Sequence, residues 1–256
     1  MTQPQSVLTD REGKLLIVTI NRSEARNAVD VSVAEGLEAA IAELDADPDL
    51  QVGVLTGAGG TFCAGMDLKA FARGERPFTK RGGFAGIVER PPEKILIAAI
   101  EGFALAGGLE IALACDLLVA ARDAKLGIPE VGVGLIAMGG GLLHLPRRIP
   151  YHLAMEMAVT GDPISAEEAQ RRGLVNRLSD PGQALAAAVA MGERVAANAP
   201  LALAASKRTL VSVRDWTTSE EWQRQAELAE PIFGSEDARE GALAFAEKRT
   251  PNWQGR

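Results

Sequence analysis

The sequence is poor in the residues that build metal sites and disulfides. It contains two cysteines and two histidines among 256 residues. Cys63 and Cys115 form no CxxC pair, and His144 and His152 lie eight residues apart without a carboxylate-rich stretch beside them. We therefore expect no zinc site and no other metal site. Two separate thiols fit a reducing compartment, where each packs as a small apolar side chain.

Positive charge is scarce as well. The chain has 27 Lys and Arg residues against 34 Asp and Glu residues, which gives a formal net charge of -7. Its basic residues form only short clusters, such as the pairs at 147–148 and 171–172. A chain of this charge repels a phosphate backbone, so nucleic-acid binding is not expected.

Long apolar runs are also missing. Residues 126–143 come closest to a membrane span, but seven of these 18 residues are Gly or Pro and one is Glu. A spanning helix needs about 20 predominantly apolar residues. Residues 1–10 are polar and lack the apolar centre of a secretory signal. The expectation is a cytoplasmic protein that has no contact with a membrane.

Strand and helix patterns alternate along the first half of the chain. Compact apolar runs predict four strands, over residues 15–20, 52–56, 95–100 and 117–121. Apolar residues at helical spacing predict a helix over 31–44, with Asp30 as its N-cap. Apolar strands that alternate with helices predict βαβ units and a sheet covered on both faces. The fold class is therefore α/β, with one sizeable core.

The second half of the chain is predicted to be helical from Tyr151 onward. Ser165 and Glu168 have the spacing of a capping box at the start of a short helix. Further helices are predicted over 183–197, 201–211, 220–229 and 236–248. Residues 72–93 combine glycines, prolines and charges, and we predict that they form a mobile loop or a broken helix over a site.

Two glutamates stand alone in apolar, glycine-rich stretches. Within residues 103–115 every residue except Glu110 is apolar or Gly. Within residues 126–143 every residue except Glu130 is apolar, Gly or Pro. A buried carboxyl without a partner has a raised pKa and can exchange protons near neutral pH. Two such groups can polarise water and deliver a proton to carbon. The alternative for each is a solvent-facing position or a pair with a structural arginine.

Two glycine-containing turns accompany these acids. Residues 106–108 (Ala-Gly-Gly) precede the predicted helix with Glu110, and residues 63–68 follow the strand at 52–56. N–H groups at a helix start have no intrahelical acceptor, and Gly lets a ligand oxygen approach closely. Two such turns could direct two N–H groups at one carbonyl oxygen and form an oxyanion hole. Tight packing of helix against strand is the other explanation for these glycines.

The motifs resemble those of the crotonase family of enoyl-CoA hydratases and isomerases. Residues 62–69 (FCAGMDLK) are similar to its F-x-A-G-x-D segment, and residues 99–110 to its A-V-x-G-x-A-x-G-G-G-x-E segment. Residues 127–130 (GIPE) resemble its F-x-x-P-E segment. Residues 21–28 and 244–249 match its first and last motifs. The resemblance covers nearly the whole chain, with order and spacing intact.

The resemblance implies a crotonase (ClpP-like) spiral of repeated ββα units with a C-terminal helical trimerisation region. Residues 1–195 would form the core domain with the active site. Residues 196–256 would complete the coenzyme A site and assemble a homotrimer or a hexamer that is a dimer of trimers. Glu110 and Glu130 would bind the attacking water, and Glu130 would protonate the α-carbon.

Roles in substrate binding follow from the same resemblance. The backbone N–H groups of Met66 and Gly107 would hold the thioester oxygen. Phe245 and Lys248 would complete the coenzyme A site, in the same or in a neighbouring subunit. The rest of that site would be lined by Arg26, Ala28, Ala64, Asp67, Leu68 and Lys69.

Possession of both glutamates favours an enoyl-CoA hydratase, because members that only shift a double bond generally keep one or neither acid. Such an enzyme adds water syn to trans-2-enoyl-CoA and forms 3-hydroxyacyl-CoA, with no cofactor beyond the coenzyme A of its substrate. The alternatives are a Δ3-Δ2-enoyl-CoA isomerase and a crotonobetainyl-CoA hydratase (carnityl-CoA dehydratase). Residues 83–86 and 236–256 resemble the branch of the family that contains the second of these enzymes. A thioester- or RNA-binding module without catalysis is the alternative from another class.

Overall fold

A six-stranded sheet forms the centre of the structure, a computed structural model that describes residues 5–256. The strands along the chain are β1 (Val7–Glu12), β2 (Leu15–Ile20), β3 (Val52–Gly57), β4 (Phe78–Thr79), β5 (Gly83–Phe84), β6 (Ile95–Ile100), β7 (Phe103–Leu105), β8 (Leu117–Ala121), β9 (Lys125–Gly127), β10 (Ile164–Ser165) and β11 (Arg177–Ser179). The sheet has the order β1-β2-β3-β6-β8-β11, and all pairs except β1 with β2 are parallel. The α/β fold class predicted from the sequence is confirmed.

The strands β2, β3, β6 and β8 are the four that the sequence predicts, with bounds that agree to within one residue. The sequence does not predict the first strand, β1. Of its six residues only Val7 is buried, because β1 lies at the sheet edge and the rest of it is exposed. A strand with one buried residue has no apolar run, and its sequence therefore carries no strand signal.

A second layer gives the chain its repeated strand-strand-helix course. After β6 the chain enters β7, and after β8 it enters β9, and these short strands pair in a separate sheet of order β10-β9-β7. The helices along the chain are α1 (Val31–Ala46), α2 (Leu68–Ala72), α3 (Gly107–Ala114), α4 (Gly141–Arg148), α5 (Tyr151–Thr160), α6 (Ala166–Arg171), α7 (Ala184–Ala196), α8 (Pro200–Ser212), α9 (Glu221–Phe233) and α10 (Glu236–Glu247). The turn between the two sheets at β7 leads directly into α3 and thereby positions Glu110.

The predicted helix caps are present. The Asp30 carboxylate accepts a hydrogen bond from the N–H of Val33 (3.0 Å) at the start of α1. The Ser165 hydroxyl accepts one from the N–H of Glu168 (3.1 Å) at the start of α6. Each cap satisfies a donor that the first helical turn leaves free. The predicted end of α9 at residue 229 is four residues short of its observed end.

Residues 72–93 contain a small hairpin, so the broken-helix prediction is wrong. Strands β4 and β5 pair antiparallel. Positive φ angles at Gly83, Ala85 and Gly86 exclude a right-handed helix there. The Thr79 hydroxyl donates to the Glu38 carboxylate on α1 (2.7 Å), and the hairpin thereby brings the buried Phe84 ring under the site described below.

The C-terminal helices are far less buried than the core. Helices α8 and α9 contain no buried residue, whereas α7 packs with buried alanines against the central sheet. The predicted domain boundary between residues 195 and 196 falls in the last turn of α7 and stays a prediction. No helix within residues 5–256 has the length and apolar character needed to cross a bilayer. The first four residues of the polar N-terminal segment lie outside the described residues.

A half-buried ion pair connects α8 to the core. The Lys207 ammonium donates to the Asp116 carboxylate (2.6 Å) and to the carbonyl of Lys94 (2.9 Å), and its side chain is 9% exposed. Asp116 also accepts a hydrogen bond from the N–H of Leu96 (2.8 Å) at the start of β6. This pair therefore joins the helical region to the end of the central sheet.

We predict that Lys207→Met lowers the free energy of unfolding by about 2 kcal/mol, because the Asp116 charge then stays in place without its cation. Arg224→Met breaks the exposed pair with Glu220 and serves as the control, with little expected change. Urea denaturation followed by circular dichroism measures both. Equal stability of the two variants would contradict the structural role of this pair.

Candidate active site

Both glutamates line one largely apolar cavity of about 500 Å³. Glu110 is 4% exposed and Glu130 is 9% exposed, so both carboxyls lie out of bulk water. The apolar wall consists of Met66, Leu68, Phe71, Phe78, Phe84, Leu135, Ile136 and Met138. The structure thus brings together two acids that are 20 residues apart in the sequence. Neither glutamate faces solvent, and neither pairs with an arginine among the described residues, so the alternative explanation of these acids is excluded.

Helix α3 holds Glu110 in its first turn, where the carboxyl meets a second glycine-rich segment. The N–H of Gly141 donates to Glu110 Oε1 (2.9 Å). A Cβ atom at position 139 would lie 2.7 Å from Glu110 Oε2, so the backbone comes this close only because the residue is Gly. Burial raises the pKa of Glu110 to about 7, and the charge of Glu130 also raises it, while the N–H of Gly141 lowers it.

Glu130 lies in a short 3-10 turn, Pro129–Val133, whose first position is a proline with a suitable fixed φ. Burial raises the pKa of Glu130, although a hydrogen bond from its own backbone N–H lowers it in part. Its Oε2 atom is buried and has no hydrogen-bond partner among the described residues. A buried oxygen of this kind is an acceptor or donor site for a ligand or a water molecule.

The two glycine-containing turns lie against each other beside these acids. A Cβ atom at position 65 would lie 3.1 Å from the backbone N of Gly107, and one at position 107 would lie 2.4 Å from a Phe84 ring carbon. Met66 and Gly107 both line the cavity, and within residues 5–256 neither backbone N–H donates a hydrogen bond. The turns therefore present two free donors to the same space, as an oxyanion hole requires.

Only some of the residues expected around coenzyme A line the cavity. Ala64 and Leu68 line the cavity, whereas Ala28, Lys69 and the exposed Arg26 lie beside it and do not form its wall. The N–H of Ala64 donates to the carbonyl of Arg26 (3.1 Å), so the two segments are adjacent.

Asp67 has a structural task in the same region. Its carboxylate accepts hydrogen bonds from the N–H groups of Lys69 and Ala70 (both 3.0 Å) and caps α2. It also pairs with Arg22 (3.1 Å). The cap fixes the first turn of α2 and, with it, the direction of the adjoining backbone at Met66.

Phe245 and Lys248 are not brought to the cavity of their own chain. Phe245, near the end of α10, is 87% exposed, and Lys248 follows the helix in a left-handed conformation. Their predicted part in binding coenzyme A stays a prediction.

Sequence reasoning missed several groups of the site. Gly139 and Gly141, which contact the Glu110 carboxyl, belong to a glycine triplet whose only sequence signal was its composition. Buried Asn27 was missed as well. Its amide donates to the carbonyls of Ala58 (2.8 Å) and Thr61 (2.6 Å) and so braces the loop that leads to the turn at Gly65.

Cys63 lies near the site but stays a thiol. Burial raises the pKa of Cys63 to about 12, and a thiol without a thiolate fraction is a poor nucleophile. Among the described residues no group of three or more His, Cys, Asp or Glu side chains is placed to hold a metal ion.

We predict a pH dependence of stability that comes from Glu110. Its pKa is higher in the folded state than in the unfolded chain, so it stabilises the fold while protonated and loses this contribution as pH rises from about 5 to 8. The loss amounts to about 2 kcal/mol. Glu110→Gln removes that dependence, and denaturation at pH 5 and pH 8 measures the difference. Parallel pH profiles of both proteins would show that the carboxyl titrates normally.

Comparison with known proteins identifies the family. A solved enoyl-CoA hydratase from Mycobacterium marinum superposes with a TM-score of 0.97 and is 56% identical, covering 99% of this chain and 100% of its own. An enoyl-CoA hydratase of Mycobacterium tuberculosis is 41% identical over 97% of this chain and 96% of its own length. A carnitinyl-CoA dehydratase of Salmonella arizonae is 40% identical over 98% and 99%. The sequence also matches the enoyl-CoA hydratase/isomerase family over residues 10–256, and this chain belongs to that family, as its motifs predict.

Proposed function

We propose that this protein is a hydro-lyase that adds water to trans-2-enoyl-CoA thioesters and forms 3-hydroxyacyl-CoA. One observation carries the proposal: two buried carboxyls with raised pKa values share a cavity with two unused backbone N–H donors. Hydration of a conjugated thioester needs these groups, since negative charge develops on the carbonyl oxygen while a proton leaves water and another reaches carbon. The names of the relatives agree with this reaction.

The reaction is a balanced addition across the double bond. The thioester oxygen accepts hydrogen bonds from the N–H groups of Met66 and Gly107. Water attacks the β-carbon, its oxygen forms the new C–O bond, and the π electrons move towards the carbonyl as an enolate. A proton is then delivered to the α-carbon on the same face. Each oxyanion donor contributes about 3–4 kcal/mol in well-studied enzymes.

We assign different tasks to the two acids from their hydrogen bonds. The N–H of Gly141 donates to Glu110 and holds its carboxyl in place, and with a pKa that burial raises to about 7 this group can take a proton from water at neutral pH. Glu130 Oε2 is buried and has no hydrogen-bond partner among the described residues, so this oxygen is free to carry the proton that serves the α-carbon. After each addition Glu110 holds the proton taken from water and Glu130 has lost one to the α-carbon. A pKa of about 7 lets Glu110 release its proton to water at neutral pH, and Glu130 takes up a proton before the next cycle.

We predict that Glu110→Gln and Glu130→Gln each lower kcat for crotonyl-CoA hydration by about 10²–10⁴-fold. Both variants should still bind butyryl-CoA, because the amide keeps the size of the carboxyl. The loss of absorbance of the conjugated thioester measures hydration, and exposed Glu156→Gln on α5 is the control. Full turnover in either variant would refute the assigned role, and conversion of a 3-enoyl-CoA without water uptake would reveal an isomerase instead.

We further propose that the C-terminal helices join copies of the chain into a homotrimer or a dimer of trimers. Trp222, Phe233 and Phe245 are 80%, 81% and 87% exposed in the single chain. Large apolar side chains exposed this fully are typical of an interface. In such an assembly Phe245 and Lys248 can complete the coenzyme A site of a neighbouring subunit. The protein acts in the cytoplasm, which keeps its two thiols reduced, and needs no cofactor beyond its substrate.

We predict that light scattering of the purified protein gives three or six times the chain mass of 27.0 kDa. Lys248→Ala should raise KM for crotonyl-CoA several-fold with little change of kcat, because the residue is assigned to binding alone. The control is Arg256→Ala, which removes an exposed cation at the same end of the chain. A fully active protein with the mass of one chain would contradict the proposed assembly.

A further inference from the structure

A cation lies on the wall of the cavity, in the segment that follows α2. Among the described residues that line the cavity, the charged ones are Glu110, Glu130 and Arg76. The two acids have roles in the proposed hydration, and Arg76 has none. Its presence therefore bears on which acyl chains the cavity accepts.

Arg76 is held in place by its own segment. Its guanidinium carbon lies 4.1 Å from the centroid of the Phe71 ring. Nη1 donates to the carbonyls of Glu75 (2.8 Å) and Phe71 (3.3 Å), while Nε and Nη2 have no acceptor among the described residues. The side chain thus keeps its direction and has unused donors, which a carboxylate fits well.

The aromatic residues of the cavity are already engaged. A quaternary ammonium group binds best to open aromatic faces. Arg76 covers the face of Phe71, and Phe78 packs edge to face on Phe84 with centroids 5.5 Å apart. Phe84 also lies against Gly107, below the free N–H groups. A cationic acyl tail would therefore meet a guanidinium in place of an aromatic cage.

We propose that Arg76 is a specificity-determining residue that disfavours acyl chains with a terminal cation and favours those with a terminal carboxylate over uncharged ones. The proposal rests on the proposed hydratase function and names the substrate class of the same cavity. Its physical basis is the Coulomb interaction between the tail charge and the Arg76 guanidinium, which lies on the cavity wall but is exposed to solvent and therefore partly screened. Crotonobetainyl-CoA carries a trimethylammonium group, which the guanidinium repels, and it is therefore a poor substrate.

The test uses three 2-enoyl-CoA thioesters that differ only at carbon 4. Crotonyl-CoA carries hydrogen there, crotonobetainyl-CoA carries trimethylammonium, and glutaconyl-CoA carries a carboxylate. Values of kcat/KM are measured for the wild-type protein, Arg76→Gln and Arg76→Lys. Arg73→Gln is the matched control, because Arg73 lies three residues away, pairs with Glu75 and does not line the cavity.

Arg76→Gln should raise the kcat/KM ratio of crotonobetainyl-CoA to crotonyl-CoA about tenfold and lower the ratio of glutaconyl-CoA to crotonyl-CoA about tenfold. Arg76→Lys should keep most of the wild-type preference, and Arg73→Gln should keep all of it. Ratios within twofold of wild type in Arg76→Gln would overturn the proposal. An equal loss for all three substrates would place Arg76 on coenzyme A instead and would overturn it as well.

Binding separates this proposal from the proposed function. Calorimetry with the unreactive butyryl-CoA, γ-butyrobetainyl-CoA and glutaryl-CoA measures tail preference without any hydration. If the wild-type protein hydrates no thioester but prefers glutaryl-CoA, the hydratase assignment fails and the role of Arg76 stands. If it hydrates crotonyl-CoA but binds all three analogues alike, the role of Arg76 fails and the hydratase assignment stands.

Discussion

The burial of two carboxyl groups in one apolar cavity is the constraint on which the rest of the site depends. Within residues 5–256 neither Glu110 nor Glu130 has a cationic partner, so burial raises both pKa values, and the proximity of the two charges adds to the effect at Glu110. Such an arrangement costs stability, because an ionised carboxylate loses its hydration there. A protein keeps it where proton exchange near neutral pH is needed.

Close backbone approach makes this cavity reactive. Gly65 lets one turn pack against the start of α3, and the glycines at 139 and 141 let another segment reach the Glu110 carboxyl. A Cβ atom at position 65 or 139 would collide with its neighbour, and one at position 141 would be tightly placed, 3.2 Å from Glu110 Oε1. The N–H groups of Met66 and Gly107 remain open because the turns that precede α2 and α3 give them no acceptor among the described residues.

Rigid elements around the cavity set its shape and charge. The hairpin of β4 and β5 places Phe84 beneath Gly107, and the hydrogen bond from its Thr79 hydroxyl to Glu38 braces it against α1. Arg76 adds the one positive charge to the lining that the described residues form. The C-terminal helices, in contrast, present large apolar side chains outward, and the proposed assembly would cover them.

The sequence alone determined the α/β class, the family and the two acids. Apolar strands leave a readable pattern, and a lone glutamate in a long apolar stretch is conspicuous because burial of an unpaired charge is so costly. The edge strand β1 and the hairpin within 72–93 escaped prediction, since one is almost fully exposed and the other is made by turns with positive φ.

Only the tertiary structure decided that both acids share one cavity, that Gly141 donates to Glu110, and that Arg76 joins them on its wall. The direction of a backbone N–H and the burial of a side chain depend on how segments distant in the sequence pack together. That packing cannot be read from the type of each residue taken separately.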